Sequence, residues 1–130
     1  MFSVSGDMDE KWHSLSVNRD MPNGTIAAEA RAESGSLWFP GHFPGEPILP
    51  GIAILSMVMD VIRHHEAEIG SKVRITGIKR VRVKLPVRPE ELVKITVSLK
   101  HQNTGLSYNF AVESDEKTVC TGIAEAKRMM

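Results

Sequence analysis

Apolar and polar residues alternate with a period of two through most of the second half of the chain. This period predicts β-strands, because successive side chains of a strand point to opposite faces of a sheet. Turns at residues 86–90, 103–105 and 115–117 separate four such strands. Their predicted inward faces are Val73, Ile75, Val81, Val83 and Leu85; then Val93, Ile95, Val97 and Leu99; then Leu106, Tyr108, Phe110 and Val112; and last Cys120, Gly122, Ala124 and Ala126.

The first half of the chain has a different pattern. Residues 25–33 alternate small or apolar with polar side chains and predict a strand, although the alanines leave a helix open. Residues 51–65 are apolar on nearly every side, which predicts a buried helix, and Pro50 suits its first turn. Between them, residues 36–51 contain four prolines and predict a rigid loop.

This order of elements predicts an α+β fold, in which a mostly antiparallel sheet wraps around one central helix. Residues 1–24 are polar with little periodicity, and we expect a loosely packed N-terminal segment there. Residues 25–130 then form a single domain, in keeping with the total of 130 residues.

Composition narrows the classes of function. Sixteen basic and 16 acidic residues give a formal net charge of +0, so nucleic acid is not an expected partner. Cys120 is the single cysteine, and no Cys/His spacing predicts a metal site. The N-terminus does not have the pattern of a secretory signal, and the apolar run at residues 51–62 is too short to span a bilayer. A cytoplasmic protein without a membrane partner is therefore expected.

Residues 40–51 read PGHFPGEPILPG and carry the most specific signal in the chain. They resemble the G-H-F-P-x-x-P-x-x-P-G motif of the β-hydroxyacyl-acyl-carrier-protein dehydratases of the FabZ/FabA type, which a long apolar helix follows. Residues 83–89, VKLPVRP, are similar to a second segment of that family, from which Leu85 and Glu90–Glu91 differ. The resemblance implies the hot-dog fold, with two protomers joined edge to edge in a continuous sheet.

The resemblance also implies an activity and a set of site residues. A hydro-lyase of fatty-acid or related lipid or polyketide metabolism would convert a 3-hydroxyacyl thioester, on acyl carrier protein or coenzyme A, to the trans-2-enoyl thioester. His42 would act at C2, and the N–H of Gly51, at the start of the helix, would bind the thioester oxygen. No cofactor is implied. The expected lining of the substrate tunnel is Phe43, Trp38, Phe39 and Pro50.

The acid of the family is missing from its usual position. Fourteen residues after His42, where the family has Glu or Asp on the partner's helix, this chain has Ser56. A serine hydroxyl can position a water but has no accessible acid pKa, so Ser56 either contacts substrate or packs as a small residue. Asp60 lies one turn later on the same face, about 5.4 Å along the helix. It is the candidate replacement acid, although pairing with Arg63 or His64 is the simpler interpretation.

A local basic cluster stands out in this neutral chain. Its members are either a solvated strand face or a docking surface for an acidic carrier protein and the phosphate of its pantetheine arm. They are Lys79, Arg80, Arg82, Lys84 and Arg88.

Three hypotheses about the function stay open. The chain is a dehydratase, acting as a homodimer or a higher oligomer of dimers. Alternatively it is a non-catalytic or partner-dependent subunit that binds acyl thioesters, for example in a heterodimer with a homologous chain. The third hypothesis is an acyl thioesterase of the same fold. Cys120 is expected to be buried and not to act as a nucleophile, and His13 and His101 are expected to stand alone.

Overall fold

The structure, a computed structural model, describes residues 2–4, 12–18, 24–38, 48–102 and 105–129. It contains one long helix, α1, and seven strands. Their bounds are β1 Phe2–Val4, β2 Ser14–Asn18, β3 Thr25–Arg31, α1 Gly51–Glu68, β4 Lys72–Val83, β5 Val93–Gln102, β6 Gly105–Ser114 and β7 Lys117–Met129.

The seven strands form one antiparallel sheet in the order β1-β2-β3-β5-β6-β7-β4. Helix α1 contacts β4, at one edge of this sheet, and also β2, β3 and β5 near the other side. A helix can touch strands so far apart in the sheet only if the sheet curves around it. The predicted α+β architecture is thereby confirmed.

The core lies between α1 and the concave face of the sheet. One face of α1 supplies seven buried residues, which are Ala53, Ile54, Met57, Val58, Val61, Ile62 and Glu66. The prediction that α1 is buried on all sides is wrong, because Ile52 on the opposite face is 60% exposed. One side of the helix is therefore uncovered in the single chain.

The N-terminal segment also differs from the prediction. Residues 14–18 are not loosely packed but form β2, which pairs with β3, and Leu15 and Val17 are buried. Leu15 faces Ala30 and Val17 faces Ala28, so the small residues of β3 leave room for the larger ones of β2. Two apolar residues are too short an alternation to predict a strand from sequence.

Strand β4 departs from the predicted alternation as well. Its pairing with β7 shifts register twice, between Ile75 and Gly77 and between Lys79 and Arg82, and Arg80 has a φ of 56°. A bulge of this kind changes the face on which the following side chains lie. As a result, Val81, Val83 and Leu85, which were predicted to point inward, are exposed. They lie on or directly after an edge strand of the sheet.

Candidate active site

The first turn of α1 has the features of an anion site. Pro50 is the N-cap residue with extended backbone (φ −66°, ψ 152°), and its carbonyl accepts the N–H of Ala53 at 2.9 Å. The N–H groups that open a helix have no partner within it, and the helix dipole is positive there. The first turn of α1 contains no acidic residue that would compete for these donors.

A surface pocket of about 460 Å³ opens beside this turn. Apolar side chains form most of its wall, and Lys84 contributes the one basic side chain of the lining. One hydrogen bond ties the segment before α1 to the segment after β4: Leu49 N–H donates to the carbonyl of Val87 at 2.7 Å. Val83 lies close to Gly51, since a Cβ built at Gly51 would be 3.9 Å from Val83 Cγ2. The lining residues are Ile48, Leu49, Pro50, Gly51, Ile54, Val83, Lys84, Leu85 and Pro86.

The structure thus brings together some of the predicted site residues. Pro50 and Gly51 share this pocket with Lys84 of the predicted docking cluster. His42, Phe39 and Phe43 lie outside the described residues. Their roles stay predictions.

Asp60 takes part in a hydrogen-bonded chain that was not predicted. Its Oδ2 atom lies 2.8 Å from Nε2 of His13, a residue only 4% exposed. On the other side of the imidazole, the indole Nε1 of Trp38 donates to His13 Nδ1 at 3.3 Å. The expectation that His13 stands alone is therefore wrong. Asp60 Oδ1 also lies 3.7 Å from Arg63 Nη1, the ion pair that was predicted at i+3.

The chemistry of Trp38 determines the tautomer of His13. An indole N–H can only donate, so the atom that accepts it, Nδ1, carries no proton. The remaining ring proton is then on Nε2 and is donated to the Asp60 carboxylate. Both nitrogens of this buried imidazole are thus used, as burial of a polar group requires. Ser56 lies one turn before Asp60 and is partly exposed.

The basic residues of the predicted docking cluster lie near the pocket. Arg80, Arg82, Lys84 and Arg88 are all exposed, on the second half of β4 and the segment after it. Lys79 pairs with Glu125 at 3.5 Å. A second surface pocket, of about 400 Å³, shares Leu85 and Pro86 with the first; its charged lining residues are Arg88, Glu91, Asp115 and Lys117.

An ion pair that contains a buried carboxylate, at the other end of α1, was also missed. Glu66 has no exposed surface and accepts a hydrogen bond from Arg128 Nε at 2.9 Å. Burial, and then the charge of Glu66, hold the pKa of Tyr108 well above its usual range, while Arg128 acts in the opposite direction. The hydrogen bond from Arg128 to Glu66, and then the negative charge of Glu66, raise the pKa of Arg128. No sequence pattern joins these residues, which lie on α1, β6 and β7.

Cys120 is buried as predicted, and burial raises the pKa of its thiol, which disfavours the reactive thiolate. Within the described ranges, no three His, Cys, Asp or Glu side chains are grouped as metal ligands. No helix among the described residues is long and apolar enough to cross a membrane.

Comparisons with known proteins agree with this architecture. A family model described as ApeI dehydratase, ApeI-like, matches residues 18–123. A 3-hydroxyacyl-[acyl-carrier-protein] dehydratase FabZ of Mannheimia succiniciproducens is 35% identical over 97 residues, which are 70% of this chain and 62% of that protein. The chain therefore spans less than two thirds of that relative. The FabZ protein of Pediococcus pentosaceus is 30% identical over 76% of this chain and 70% of its own length.

Solved structures share the fold. The dehydratase heterocomplex ApeI:P of Xenorhabdus doucetiae superposes with a TM-score of 0.64 at 20% identity, over 87% of this chain and 95% of that one. The PaaI protein of E. coli superposes with a TM-score of 0.70 at 14% identity, over 89% of this chain and 80% of that one. At these identities the likeness establishes the fold, and the predicted hot-dog fold is confirmed.

Proposed function

Because the chain belongs to the ApeI-like dehydratase family, we propose that it dehydrates 3-hydroxyacyl thioesters to trans-2-enoyl thioesters. The observation that carries the proposal is the pocket at the start of α1, where Gly51, the first residue of the helix, lies among apolar walls. The N–H groups of the first helical turn have no partner within the helix. An acyl thioester needs such a combination, since its carbonyl oxygen gains negative charge during the reaction while its chain is apolar. The motif that precedes this turn in the sequence supplies His42.

The proposed reaction uses three groups. His42 takes the proton from C2, and the electrons of that C–H bond form the C2–C3 double bond as the C3–O bond breaks. The N–H of Gly51 stabilises the negative charge on the thioester oxygen. Asp60, in its carboxylic acid form, gives a proton to the departing hydroxyl, which leaves as water. Transfer of the C2 proton from His42 to the Asp60 carboxylate through solvent restores both groups.

Distances along α1 support a site that is shared between two chains. Asp60 lies nine residues after Gly51, which places it about 13.5 Å further along the helix axis. In one substrate molecule, the carbonyl carbon C1 and the hydroxyl-bearing carbon C3 are separated by only two bonds. Gly51 and Asp60 of one chain are therefore too far apart to act on the same molecule. We therefore propose that Gly51 and His42 of one protomer act with Asp60 of a partner. The edge strand β4, with Val81 and Val83 exposed, is the surface for edge-to-edge pairing.

The partner in this pairing is a second copy of the chain in the simplest case. The fold neighbour from Xenorhabdus doucetiae is a heterocomplex by its title. A homologous partner that supplies its own acid is therefore the alternative for this chain. In that case the chain alone would bind substrate without turning it over.

We further propose that an acidic acyl carrier protein docks on the basic cluster beside the pocket. Arg80, Arg82 and Lys84 are exposed there, and charge complementarity mainly accelerates association. Arg82→Glu should slow turnover of the carrier-bound substrate at low salt more than turnover of the coenzyme A form. Arg74→Glu is the matched control, because Arg74 is exposed on the first half of the same strand. Equal effects of the two substitutions would contradict docking at this cluster.

Turnover of a short 3-hydroxyacyl thioester tests the proposed activity directly. The substrate is offered on acyl carrier protein and on coenzyme A, and the conjugated enoyl product is followed by ultraviolet absorbance. We expect dehydration by the wild-type chain and its loss in His42→Ala. Release of free thiol without enoyl product would instead identify a thioesterase. Substrate binding without either product would identify a partner-dependent subunit.

A further inference from the structure

The hydrogen-bonded chain Trp38–His13–Asp60 joins three distant parts of the sequence. His13 precedes β2, Trp38 is the last described residue before the motif that holds His42, and Asp60 is on α1. This series of hydrogen bonds therefore connects the beginning of the motif loop with the helix that carries the proposed acid. It also uses a residue from the N-terminal segment, which the family motifs do not include.

The residues around His13 hold it in place. Trp12 and Trp38 pack with their ring centroids 4.5 Å apart. Ser36 Oγ donates to the carbonyl of Trp12 and accepts the backbone N–H of Trp38. His13 is enclosed next to this cluster with only 2% of its side chain exposed. An imidazole so confined has little freedom to rotate, and neither has its hydrogen-bond partner.

The two oxygens of Asp60 are not equivalent. Oδ2 accepts the proton of His13 at hydrogen-bond distance, 2.8 Å. Oδ1 lies 3.7 Å from Arg63, beyond hydrogen-bond range, and the Asp60 side chain keeps 19% of its surface exposed. One oxygen is thus anchored, while the other remains available to a substrate hydroxyl.

We propose that His13 is a positioning residue for the dehydration, which orients the Asp60 carboxyl so that Oδ1 meets the C3 hydroxyl. This inference rests on the proposed function. Catalytic groups lose much of their effect when they are displaced by about 1 Å, with rate losses that reach about 100-fold. The anchored geometry explains how an acid one helical turn from the usual position could still be held in one orientation.

Two substitutions separate the two hydrogen bonds of His13. Glutamine places an amide nitrogen near the position of Nε2 and can keep the hydrogen bond to Asp60. Asparagine places its amide oxygen near the position of Nδ1, so it keeps the hydrogen bond from Trp38 but loses the one to Asp60. His13→Asn should lower kcat by about 10- to 100-fold with little change in KM. His13→Gln should recover most of that loss. If His13 had only a structural role, both variants would lose stability and active fraction alike. Equal kcat values for His13→Asn and His13→Gln would overturn the inference.

A spectroscopic measurement tests the geometry without turnover. Nitrogen-15 NMR of the wild-type chain at pH 7 should show His13 with a protonated Nε2 and an unprotonated Nδ1. Trp38→Phe keeps an aromatic ring against Trp12 but removes the donor, and should release the ring into a mixture of tautomers. A wild-type His13 with a protonated Nδ1 would overturn the inference.

The variants also separate this inference from the proposed function. A wild-type chain that does not dehydrate any of the thioesters refutes the proposed function, whatever the tautomer of His13. Dehydration that survives in Asp60→Asn leaves the proposed activity standing, removes Asp60 as its acid and overturns the positioning role of His13. Loss of dehydration in both Asp60→Asn and His13→Asn, with recovery in His13→Gln, supports both.

Discussion

Replacement of Gly122 by alanine tests how closely the sheet is packed. Gly122 on β7 lies directly opposite Phe110 on β6, whose ring covers the glycine. A Cβ at residue 122 would lie 2.5 Å from Phe110 Cζ and 2.9 Å from Cε2. Carbon atoms in contact are normally about 3.5–4.0 Å apart, so the ring would have to move by roughly 1 Å. Phe110 is 4% exposed, and the packed core around it resists that movement.

The expected cost follows from these contacts. Overpacking of a core costs about 1–3 kcal/mol, and the smaller entropy of the unfolded chain offsets about 0.4–1 kcal/mol of it. The midpoints of these two ranges are about 2 and about 0.7 kcal/mol, so Gly122→Ala should lower the free energy of unfolding by about 1.3 kcal/mol. Gly77→Ala is the matched control: its Cβ would meet only Glu125 Oε1 at 3.8 Å, and neither glycine has a positive φ.

Urea unfolding followed by far-ultraviolet circular dichroism measures both changes. Gly77→Ala should be neutral or stabilising by up to about 1 kcal/mol. The double variant Phe110→Leu/Gly122→Ala should be more stable than the sum of the two single changes predicts, because the smaller side chain vacates the space. A Gly122→Ala variant as stable as the wild type, or an additive double variant, would show that Phe110 does not pack tightly against residue 122.

Three further predictions concern the core. Tyr108→Phe should leave the free energy of unfolding unchanged or raise it by up to about 1 kcal/mol, because the buried hydroxyl has no hydrogen-bond partner among the described residues. A loss above about 1 kcal/mol in urea unfolding would contradict this. Ile54→Ala should cost about 2–5 kcal/mol, because Ile54 is 1% exposed, whereas Ile69→Ala at 56% exposure should change stability by less than about 0.5 kcal/mol; similar values would be inconsistent with the described core. Cys120 should react with iodoacetamide far more slowly in the folded chain than in urea, because burial raises the pKa of its thiol. Mass spectrometry after a timed pulse of iodoacetamide at pH 8 measures the labelling, and rapid labelling of the folded chain would contradict the prediction.

The sequence predicted most of the fold because its patterns are local. The alternation of Val93 to Leu99 and of Leu106 to Val112 repeats over enough residues to identify β5 and β6, and the apolar run after Pro50 identifies α1. The bulge in β4 could not be read in this way. It arises from a register shift against β7, a property of two strands far apart in the sequence.

In the candidate site, too, the residues with a local signal were predicted and the contacts between distant residues were not. Pro50 and Gly51 were predicted from the motif and a rule about helix ends, and the structure places them at a pocket. His13 is 47 residues from Asp60, and no local pattern gives a reason to pair them. The same holds for Glu66 and Arg128, which are 62 residues apart. Contacts of this kind depend on how β2 and β7 approach α1, which only the folded chain shows.

A complementation experiment tests the proposed two-chain site most directly. His42→Ala and Asp60→Asn are produced together with different affinity tags, and the mixed dimer is purified through both. Each mixed dimer contains one site with both groups intact and one with both lost. A site shared between two chains predicts little dehydration from either variant alone and about half of the wild-type turnover from the mixed dimer. A mixed dimer as inactive as its parents, beside an active wild type, would contradict a site shared between two chains.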